Sequence, residues 1–297
     1  MKQVNNYNDL SRVFNTYNIS TIEFRKKLTI VVPTVGDIDK MLQNFMSNVE
    51  LSRQHEYVGS LTIDGYNLFN DLTMYTMLLD ATNLANKIMT NSDIPVLNSN
   101  KELLNVWKIF IVDNVMWNLP FTLEDVIFIP LKQMKKNLDF DSYYDLTRTL
   151  IHERIHTLQR LNSKEWIDYV YYKNKKWILV EFNTPLFNFL NDYNVNKLME
   201  WMQVINPDTV YSNFKYVYKI DDKLYYGVLY LNEDKNIKIQ WFQIHDKKNK
   251  QYDKENFSFY LEKLDKKILD YEHPFEEYAY KISEELVKVD DSDSDSD

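Results

Sequence analysis

The chain of 297 residues is 44% hydrophobic and 27% charged, a composition typical of one large globular domain or two ordinary ones. It has no Cys, which excludes disulfide scaffolds, Cys-ligated metals and Cys nucleophiles, and its 4 glycines are too dispersed to form a phosphate-binding loop. Because 35 Lys and Arg face 44 Asp and Glu, and no apolar run approaches the roughly 20 residues of a membrane span, we expect neither a nucleic-acid nor a membrane partner.

The first part of the chain, residues 1–116, is predicted to be rich in helices. Apolar residues recur at helical spacing over Asp37–Val49, Tyr66–Met89 and Leu103–Val115. A short β-branched run, Leu28–Val32, is ended by a proline and predicts a strand. We therefore expect a helical N-terminal part with one short strand.

The middle of the chain places a predicted strand before a long predicted helix. A turn at Asn118–Thr122 precedes the apolar run Val126–Ile129, which a proline ends in the manner of an edge strand. The residues Asp139–Ser142 favour a helix start, and Tyr143–Leu161 has helical spacing. The inward stripe of this helix consists of Tyr144, Ile151, Ile155 and Leu158, and a neighbouring face carries His152, His156 and Gln159.

The region of about 170–250 is predicted to be rich in strands. Its aromatic and β-branched runs are Trp177–Phe182, Phe214–Tyr218, Leu224–Leu231 and Ile237–Ile244. Polar residues at Asp221–Asp222 and Asn232–Asp234 predict hairpin connections. Helical spacing returns over Phe257–Leu269 and Pro274–Val287.

The ends of the sequence and its composition lead us to expect an intracellular, cytoplasmic protein. The segment Met1–Arg12 lacks the apolar core of a secretion signal. Abundant Asn, Lys, Tyr and Ile are typical of AT-rich genomes, including those of large DNA viruses, which extends the expectation to a host cytoplasm or a virion. Residues 289–297 form an acidic tail that is predicted to be disordered.

The segment His152-Glu153-Arg154-Ile155-His156 has the spacing of a zinc site. Residues four apart lie on one face of a helix, so two imidazoles can bind one tetrahedral zinc ion. Glu153 projects beside that ion and can accept a proton from a water whose pKa the zinc has lowered. The alternative is a solvated helix that carries two surface histidines.

A catalytic zinc site has a third protein ligand, and the sequence offers several candidates. His245 lies at the end of a predicted strand. The segment Tyr271–Ala279 starts a helix with a proline at its first position and with Glu276 and Glu277 in its first turn. The alternative for Glu276 is an acid at a surface helix start that its charge stabilises, which is the role expected for Glu277, and the alternative for His273 is a helix cap.

Together these segments resemble the two zinc-binding helices of gluzincin-type zinc metallopeptidases. Thr149–His156, followed by Gln159-Arg160, is similar to the active-site helix of those enzymes. The segment His273–Ala279 is similar to their second helix, in which a Glu-x-x-Ala segment supplies the third ligand. Carried over by position, the resemblance implies that zinc is held by His152, His156 and Glu276. Position 280 departs from the pattern, because it is Tyr280 where such families often place a supporting acid.

The resemblance also implies the fold of the catalytic part, residues 117–288. We expect an α+β fold with a zincin-like core, a helical N-terminal part, a small mixed sheet, and a β-rich insertion between the two zinc-bearing helices. The turn and strand before the active-site helix are similar to those above the cleft of zincins. As an exposed edge, Val126–Ile129 could pair with an extended substrate by strand addition.

The implied activity is hydrolysis of peptide bonds in a peptide or protein substrate, with Zn as the cofactor and Glu153 as the general base. An oxyanion donor is also expected, for which Tyr211, Tyr216, Tyr218 and Tyr225 are candidates, with aromatic packing as the alternative for each. Two other functions stay open. One is a catalytically inactive, zinc-stabilised structural or virion-associated protein, and the other is a metal-free helical interaction protein. The sequence does not indicate the oligomeric state.

Overall fold

A computed structural model of the chain combines helices with two separate β-sheets, which confirms the α+β class. The structure describes residues 29–31, 38, 40, 41, 43, 72–112, 119–136, 140–192, 206–210, 215–234, 236–246 and 259–287. No helix within these ranges has the length and apolar character needed to cross a membrane. The domain boundaries expected from the sequence stay predictions.

Contacts between residues group the chain into two compact units. The first comprises Met1–Val35, Thr62–Leu161 and Ala279–Asp297, and the second comprises Gly36–Leu61 and Asn162–Tyr278. The border at Tyr278 falls inside one continuous helix, Pro274–Leu286, so most of that helix belongs to the first unit.

The first unit contains a four-stranded mixed sheet with the spatial order β1-β2-β4-β3. Its strands are β1 (Thr29–Val31), β2 (Val106–Val112), β3 (Phe121–Leu123) and β4 (Val126–Pro130). Strands β1, β2 and β4 are parallel, whereas β3 runs antiparallel to β4 at one edge. The strand predicted over Leu28–Val32 is therefore confirmed as β1.

Strand β4 confirms the strand predicted over Val126–Ile129, but its prediction as an edge strand is wrong. Ile127 pairs with Ile109 of β2 on one side and with Thr122 of β3 on the other. All residues of β4 are buried, as expected for a central strand with apolar side chains on both faces. Since β2 and β3 pair with it on both sides, the segment 126–128 of β4 has no free edge at which a substrate strand could add. The edge strand on this side of the sheet is β3, which overlaps the segment predicted as a turn.

The helix predicted over Leu103–Val115 is also wrong. A 3₁₀ turn at Lys101–Asn105 is followed directly by β2, which lies between β1 and β4. The sequence of β2 is rich in β-branched and aromatic residues, which favour strands, and most of its side chains are buried. A nearly continuous apolar run lacks the alternation of a half-buried strand. Its apolar residues therefore also occupy positions three and four apart, as they would in a helix.

Two long helices pack against each other in the first unit. Besides the larger part of the helix Pro274–Leu286, the described helices of this unit are α1 (Leu72–Thr90), α2 (Pro95–Asn98), α3 (Leu131–Lys136) and α4 (Phe140–Leu161). Helix α1 confirms most of the helix predicted over Tyr66–Met89, and α4 confirms the one over Tyr143–Leu161. The predicted inward stripe of α4 is buried at Tyr144, Ile151, Ile155 and Leu158. Of the predicted helix Asp37–Val49, the four described residues are helical.

The second unit contains a five-stranded antiparallel sheet in simple meander order. Its strands are β5 (Trp177–Val180), β6 (Lys215–Ile220), β7 (Lys223–Leu231), β8 (Ile237–Asp246) and β9 (Phe259–Lys263). The first four confirm the predicted strands, and Asp221 and Asp222 form the predicted turn between β6 and β7. Asp221 has a φ of 52°, a left-handed conformation that Asp tolerates in turns.

Strand β9 contradicts the helix predicted over Phe257–Leu269. Within β9 the buried Leu261 pairs with Ile244 of β8, and its exposed neighbours point the other way. This alternation is the period of a half-buried strand, and it is visible only once β8 supplies a partner.

The remaining described helices lie before, between and after the strands of this sheet in the chain. They are α5 (Ser163–Lys173), α6 (Pro185–Asp192), α7 (Pro207–Val210) and α8 (Pro274–Leu286). Helix α8 confirms the helix predicted over Pro274–Val287, whereas α5 and α6 lie where the sequence was expected to turn to strands. One face of the sheet packs with α6 around Phe189, Val217 and Phe242. The β-rich region therefore lies in the chain between α4 and α8.

Gly227 in β7 allows the backbone before α8 to approach the second sheet. A Cβ at this position would lie 3.0 Å from both Cα and Cβ of Glu272 and 3.2 Å from the Trp241 ring. Since one of these contacts is with the main chain, the strain cannot be relieved by one rotamer change. We expect Gly227→Ala to lower the free energy of unfolding by about 1–3 kcal/mol. Urea denaturation measures this loss, and unchanged stability would contradict the close approach.

Candidate metal centre

Helix α4 presents two histidines whose ring nitrogens converge. His152 and His156 are one turn apart, and their Nε2 atoms are separated by 3.0 Å. The rings lie nearly perpendicular, with their centroids 4.7 Å apart. His156 is completely buried and His152 is partly buried. The alternative of a solvated helix with two surface histidines is therefore wrong.

Gln159 orients the ring of His156. Its Oε1 lies 2.9 Å from Nδ1 of His156, and Gln159 is itself buried. An amide oxygen can only accept, so this contact assigns the ring proton to Nδ1 and leaves the Nε2 lone pair directed toward His152. Metal-binding histidines usually have such a partner on the second nitrogen. The helical spacing predicted Gln159 on the same face as the histidines, but no contact with His156 was predicted for it.

Glu153 lies on α4 between the two histidines and is buried. A carboxylate at this point of the helix is not needed for the packing of an apolar stripe, which Ile151 and Ile155 already supply. A buried acid beside two convergent imidazoles can act as a proton acceptor for a water bound between them. The role expected for Glu153, as a base rather than a ligand, stays a prediction.

Two arginines fix α4 to its surroundings in the first unit. Arg154 is buried, donates to Thr157 Oγ1 at 3.0 Å and to the carbonyl of Leu103, and lies 5.3 Å from the centre of the Trp107 ring. Burial lowers the pKa of Arg154 to about 10, although the nearby Asp125 opposes the shift. The guanidinium therefore stays charged at neutral pH.

Arg160 ties the end of α4 to the β3–β4 connection. Its two terminal nitrogens donate to the carbonyls of Thr122 and Glu124, each at 3.1 Å. The planar guanidinium bridges two carbonyls of the same hairpin through two separate nitrogens, a fixed geometry that the single ammonium of a Lys does not provide. The position of the helix that carries the histidines is thus fixed relative to the edge of the first sheet.

The first turn of α8 brings a carboxylate to the histidines. Glu276 is buried, so the alternative of an acid on a surface helix is wrong for this residue. One ligand atom each of His152, His156 and Glu276 lies within 4.8 Å of the others. Four residues after Glu276 on the same helix, the Tyr280 ring contacts the His152 ring at 4.3 Å between centroids. The side chains of His152, His156 and Glu276 could together hold a metal ion.

The chemistry and spacing of these donors fit zinc. Two imidazoles and one carboxylate are a donor set used by catalytic zinc sites, with the fourth position left to water or substrate. Two nitrogens that bind one tetrahedral zinc at about 2.0–2.1 Å are about 3.3 Å apart. The observed 3.0 Å between the Nε2 atoms is close to this value. The same donors also accept other divalent ions, so the geometry indicates a group that could hold a metal ion without specifying which one.

Position 280 is Tyr280, whereas gluzincin-type peptidases often have a supporting acid at the matching position. Its ring is tilted by 58° against His152 and remains 44% exposed. The contact is therefore one of packing between rings. His152 is supported at this position by an aromatic neighbour instead of a carboxylate.

The other candidate ligands have partners elsewhere. His273 accepts from the backbone N–H of Phe275 at 3.2 Å through Nδ1, which confirms its alternative role as a helix cap. Glu277 accepts from the indole N–H of Trp177 at 2.5 Å and is buried, so the prediction of a surface acid is wrong here as well. His245 lies 2.7 Å from the carboxylate of Glu262 on the neighbouring strand.

Three of the four tyrosines considered as oxyanion donors are packed in the second sheet. Tyr216, Tyr218 and Tyr225 are all buried, and the rings of Tyr216 and Tyr218 contact Trp177. Burial, with a smaller effect of Asp168, raises the pKa of Tyr216 above its ordinary value. Aromatic packing is therefore the role that the structure gives them. Tyr211 lies outside the described residues.

Asn206 is a site residue that the sequence did not reveal. Its side-chain amide donates to Glu276 Oε1 at 2.8 Å, although the two residues are 70 positions apart. The only local signal is the pair Asn206-Pro207, which is typical of a helix start and says nothing about a distant carboxylate.

Known proteins give no independent guide to this site. Comparisons with protein-family models, with curated proteins and with solved structures found no match to the chain. The side chains themselves, and the resemblance of two short segments noted in the sequence, therefore carry the functional argument.

Proposed function

We propose that the chain is a zinc-dependent metallopeptidase of the gluzincin type, which hydrolyses peptide bonds in a peptide or protein substrate. The observation that carries the proposal is the convergence of His152, His156 and Glu276, which lie on two different helices. A buried Glu153 on the same helix as the histidines adds the residue that a purely structural zinc site would not need.

The architecture around α4 supports a zincin-like core. A mixed sheet with one antiparallel edge strand, β3, precedes α4 in the chain, and Arg160 links this strand to the helix. The long stretch between α4 and α8 is accommodated by a separate antiparallel sheet. A ligand only has to meet its partners in space, so an insertion of this length is compatible with a shared site.

Each residue has a defined part in the proposed reaction. His152, His156 and Glu276 hold the metal, and Gln159 keeps His156 in the tautomer that leaves Nε2 available. When bound, zinc lowers the pKa of a water and polarises the scissile carbonyl. Glu153 accepts a proton from the attacking water, holds it on its carboxylate, and delivers it to the nitrogen of the leaving amine.

Removal and return of the metal test this proposal. We expect the wild-type protein to bind about one zinc per chain and to cleave members of a library of unstructured peptides. Dialysis against a chelator should abolish cleavage, and stoichiometric zinc should restore it, as followed by mass spectrometry. A control with Mg²⁺, which prefers oxygen ligands, should not restore activity.

Two outcomes would contradict the proposal. A wild-type protein that binds no zinc would remove the metal site altogether. Stoichiometric zinc that raises the thermal stability without cleavage of any library peptide would instead support the inactive, zinc-stabilised alternative.

A further inference from the structure

The Asn206 side chain connects two acidic residues at the start of α8. Its Nδ2 donates to Oε1 of Glu272 at 2.9 Å and to Oε1 of Glu276 at 2.8 Å. An amide group carries two hydrogens on this nitrogen, so both contacts can be formed at once. One neutral side chain thus holds two carboxylates, of which Glu276 belongs to the candidate metal centre.

The orientation of this amide is fixed from the other side. Oδ1 of Asn206 accepts from the backbone N–H of Asp208 at 2.9 Å, and the Asn206 carbonyl accepts from the N–H of Thr209 at 3.2 Å. A backbone N–H can only donate, so the atom facing it must be the amide oxygen. The nitrogen therefore faces the two carboxylates, and the turn that starts α7 keeps it there.

A carboxylate held at one oxygen presents its other oxygen in a defined direction. Glu276 has several side-chain torsions, and the amide contact at Oε1 selects among them before any metal arrives. Partners of this kind, which touch a ligand but not the metal, commonly tune metal affinity.

We propose that Asn206 is the positioning residue of the third metal ligand: its amide fixes the Glu276 carboxylate in the orientation that completes the site with the two histidines. The inference rests on the proposed metal centre and deepens it. In this role Asn206 is not itself a ligand, and its effect passes through Glu276.

The variant Asn206→Ser tests this role while preserving the local turn. A serine hydroxyl can still accept from the Asp208 N–H at a helix start, but it is too short to reach the two carboxylates. We expect zinc affinity, measured by competition with a chromophoric chelator, to fall by about 10- to 100-fold. The metal-free variant should stay folded but with a lower thermal midpoint, because the two carboxylates lose their shared donor. The visible spectrum of the Co²⁺-loaded protein should change, because the ligand geometry is altered.

Asn174→Ser provides a matched control. Asn174 forms the same kind of turn, in which Oδ1 accepts from the N–H of Lys176 at 3.1 Å and the carbonyl accepts from Trp177. This variant should bind zinc like the wild type. In a Glu276→Ala background, Asn206→Ser should cause no further loss of zinc affinity, because its target is gone.

The possible results separate this inference from the proposed function. If His156→Ala binds zinc as tightly as the wild type, the proposed metal centre itself fails. If His156→Ala loses zinc but Asn206→Ser retains wild-type affinity and the wild-type Co²⁺ spectrum, the centre stands and the role of Asn206 is overturned. An equal loss of affinity from Asn206→Ser with and without Glu276 would also overturn it.

Discussion

Replacement of His156 by alanine is expected to remove most of the bound zinc and, with it, peptide hydrolysis. His156 is completely buried, its Nε2 lies 3.0 Å from that of His152, and Gln159 fixes its other ring nitrogen. Loss of an outer partner of a ligand already lowers metal affinity by about 10- to 100-fold. We therefore expect loss of a direct ligand to lower zinc affinity by more than about 100-fold. Chelator competition measures the affinity, and elemental analysis measures the stoichiometry.

A companion variant and a control make this result specific. Glu276→Ala should also lose zinc, whereas His245→Ala should not, because His245 is paired with Glu262 and stacked on Tyr260 in the second sheet. Thermal unfolding of the metal-free proteins checks that each variant folds. Equal zinc content in the wild type and in Glu276→Ala would remove Glu276 from the ligand set.

The part of the site on α4 was predictable because its geometry is local. Residues four apart in a helix always share a face, so the positions of His152, Glu153 and His156 follow from the sequence once the helix is recognised. The apolar stripe that includes Ile151 and Ile155 predicts both the helix and its inward face, and both residues are buried. Gln159, three residues beyond His156, lies within reach for the same reason.

The contributions from distant parts of the chain were not predictable from residue physics. Glu276 follows His156 by 276 − 156 = 120 positions, and no periodicity extends across such a distance. Its assignment came from resemblance to a family motif, which could not distinguish a buried ligand from a surface acid. Asn206 had no signal at all, because its contact with Glu276 exists only after the chain has folded.

Two of the errors in secondary structure arise because the burial and the pairing of a strand depend on the rest of the fold. Most side chains of β2 are buried on both faces of the sheet, so its sequence lacks alternation. Strand β4 looked like an edge because a proline ends it, yet the short strand β3 pairs with it. Whether a strand is central or at an edge depends on its neighbours, and a single stretch of sequence does not contain that information.

The substitution Glu153→Gln is expected to abolish turnover while leaving the metal in place. The amide has nearly the shape of the carboxylate but cannot accept a proton from the attacking water. A positioned general acid–base group contributes about 100- to 10,000-fold to a rate, so we expect kcat to fall by that factor. Zinc content and the thermal midpoint of the zinc-loaded protein should stay near wild type, because Glu153 is assigned as the base and the ligands are the two histidines and Glu276. Cleavage rates on a peptide identified from the library measure the loss.

Glu277→Gln is the matched control for this loss, since Glu277 is also buried but accepts from the Trp177 indole at 2.5 Å, a contact that a Gln oxygen can keep. It should retain both zinc and activity. The comparison separates chemistry from packing, because both variants exchange one buried carboxylate for an amide of equal size. A Glu153→Gln protein that binds zinc and cleaves at the wild-type rate would contradict the role of Glu153. If that variant instead lost its zinc, Glu153 would be a residue that holds the metal, and its assignment as the general base would be wrong.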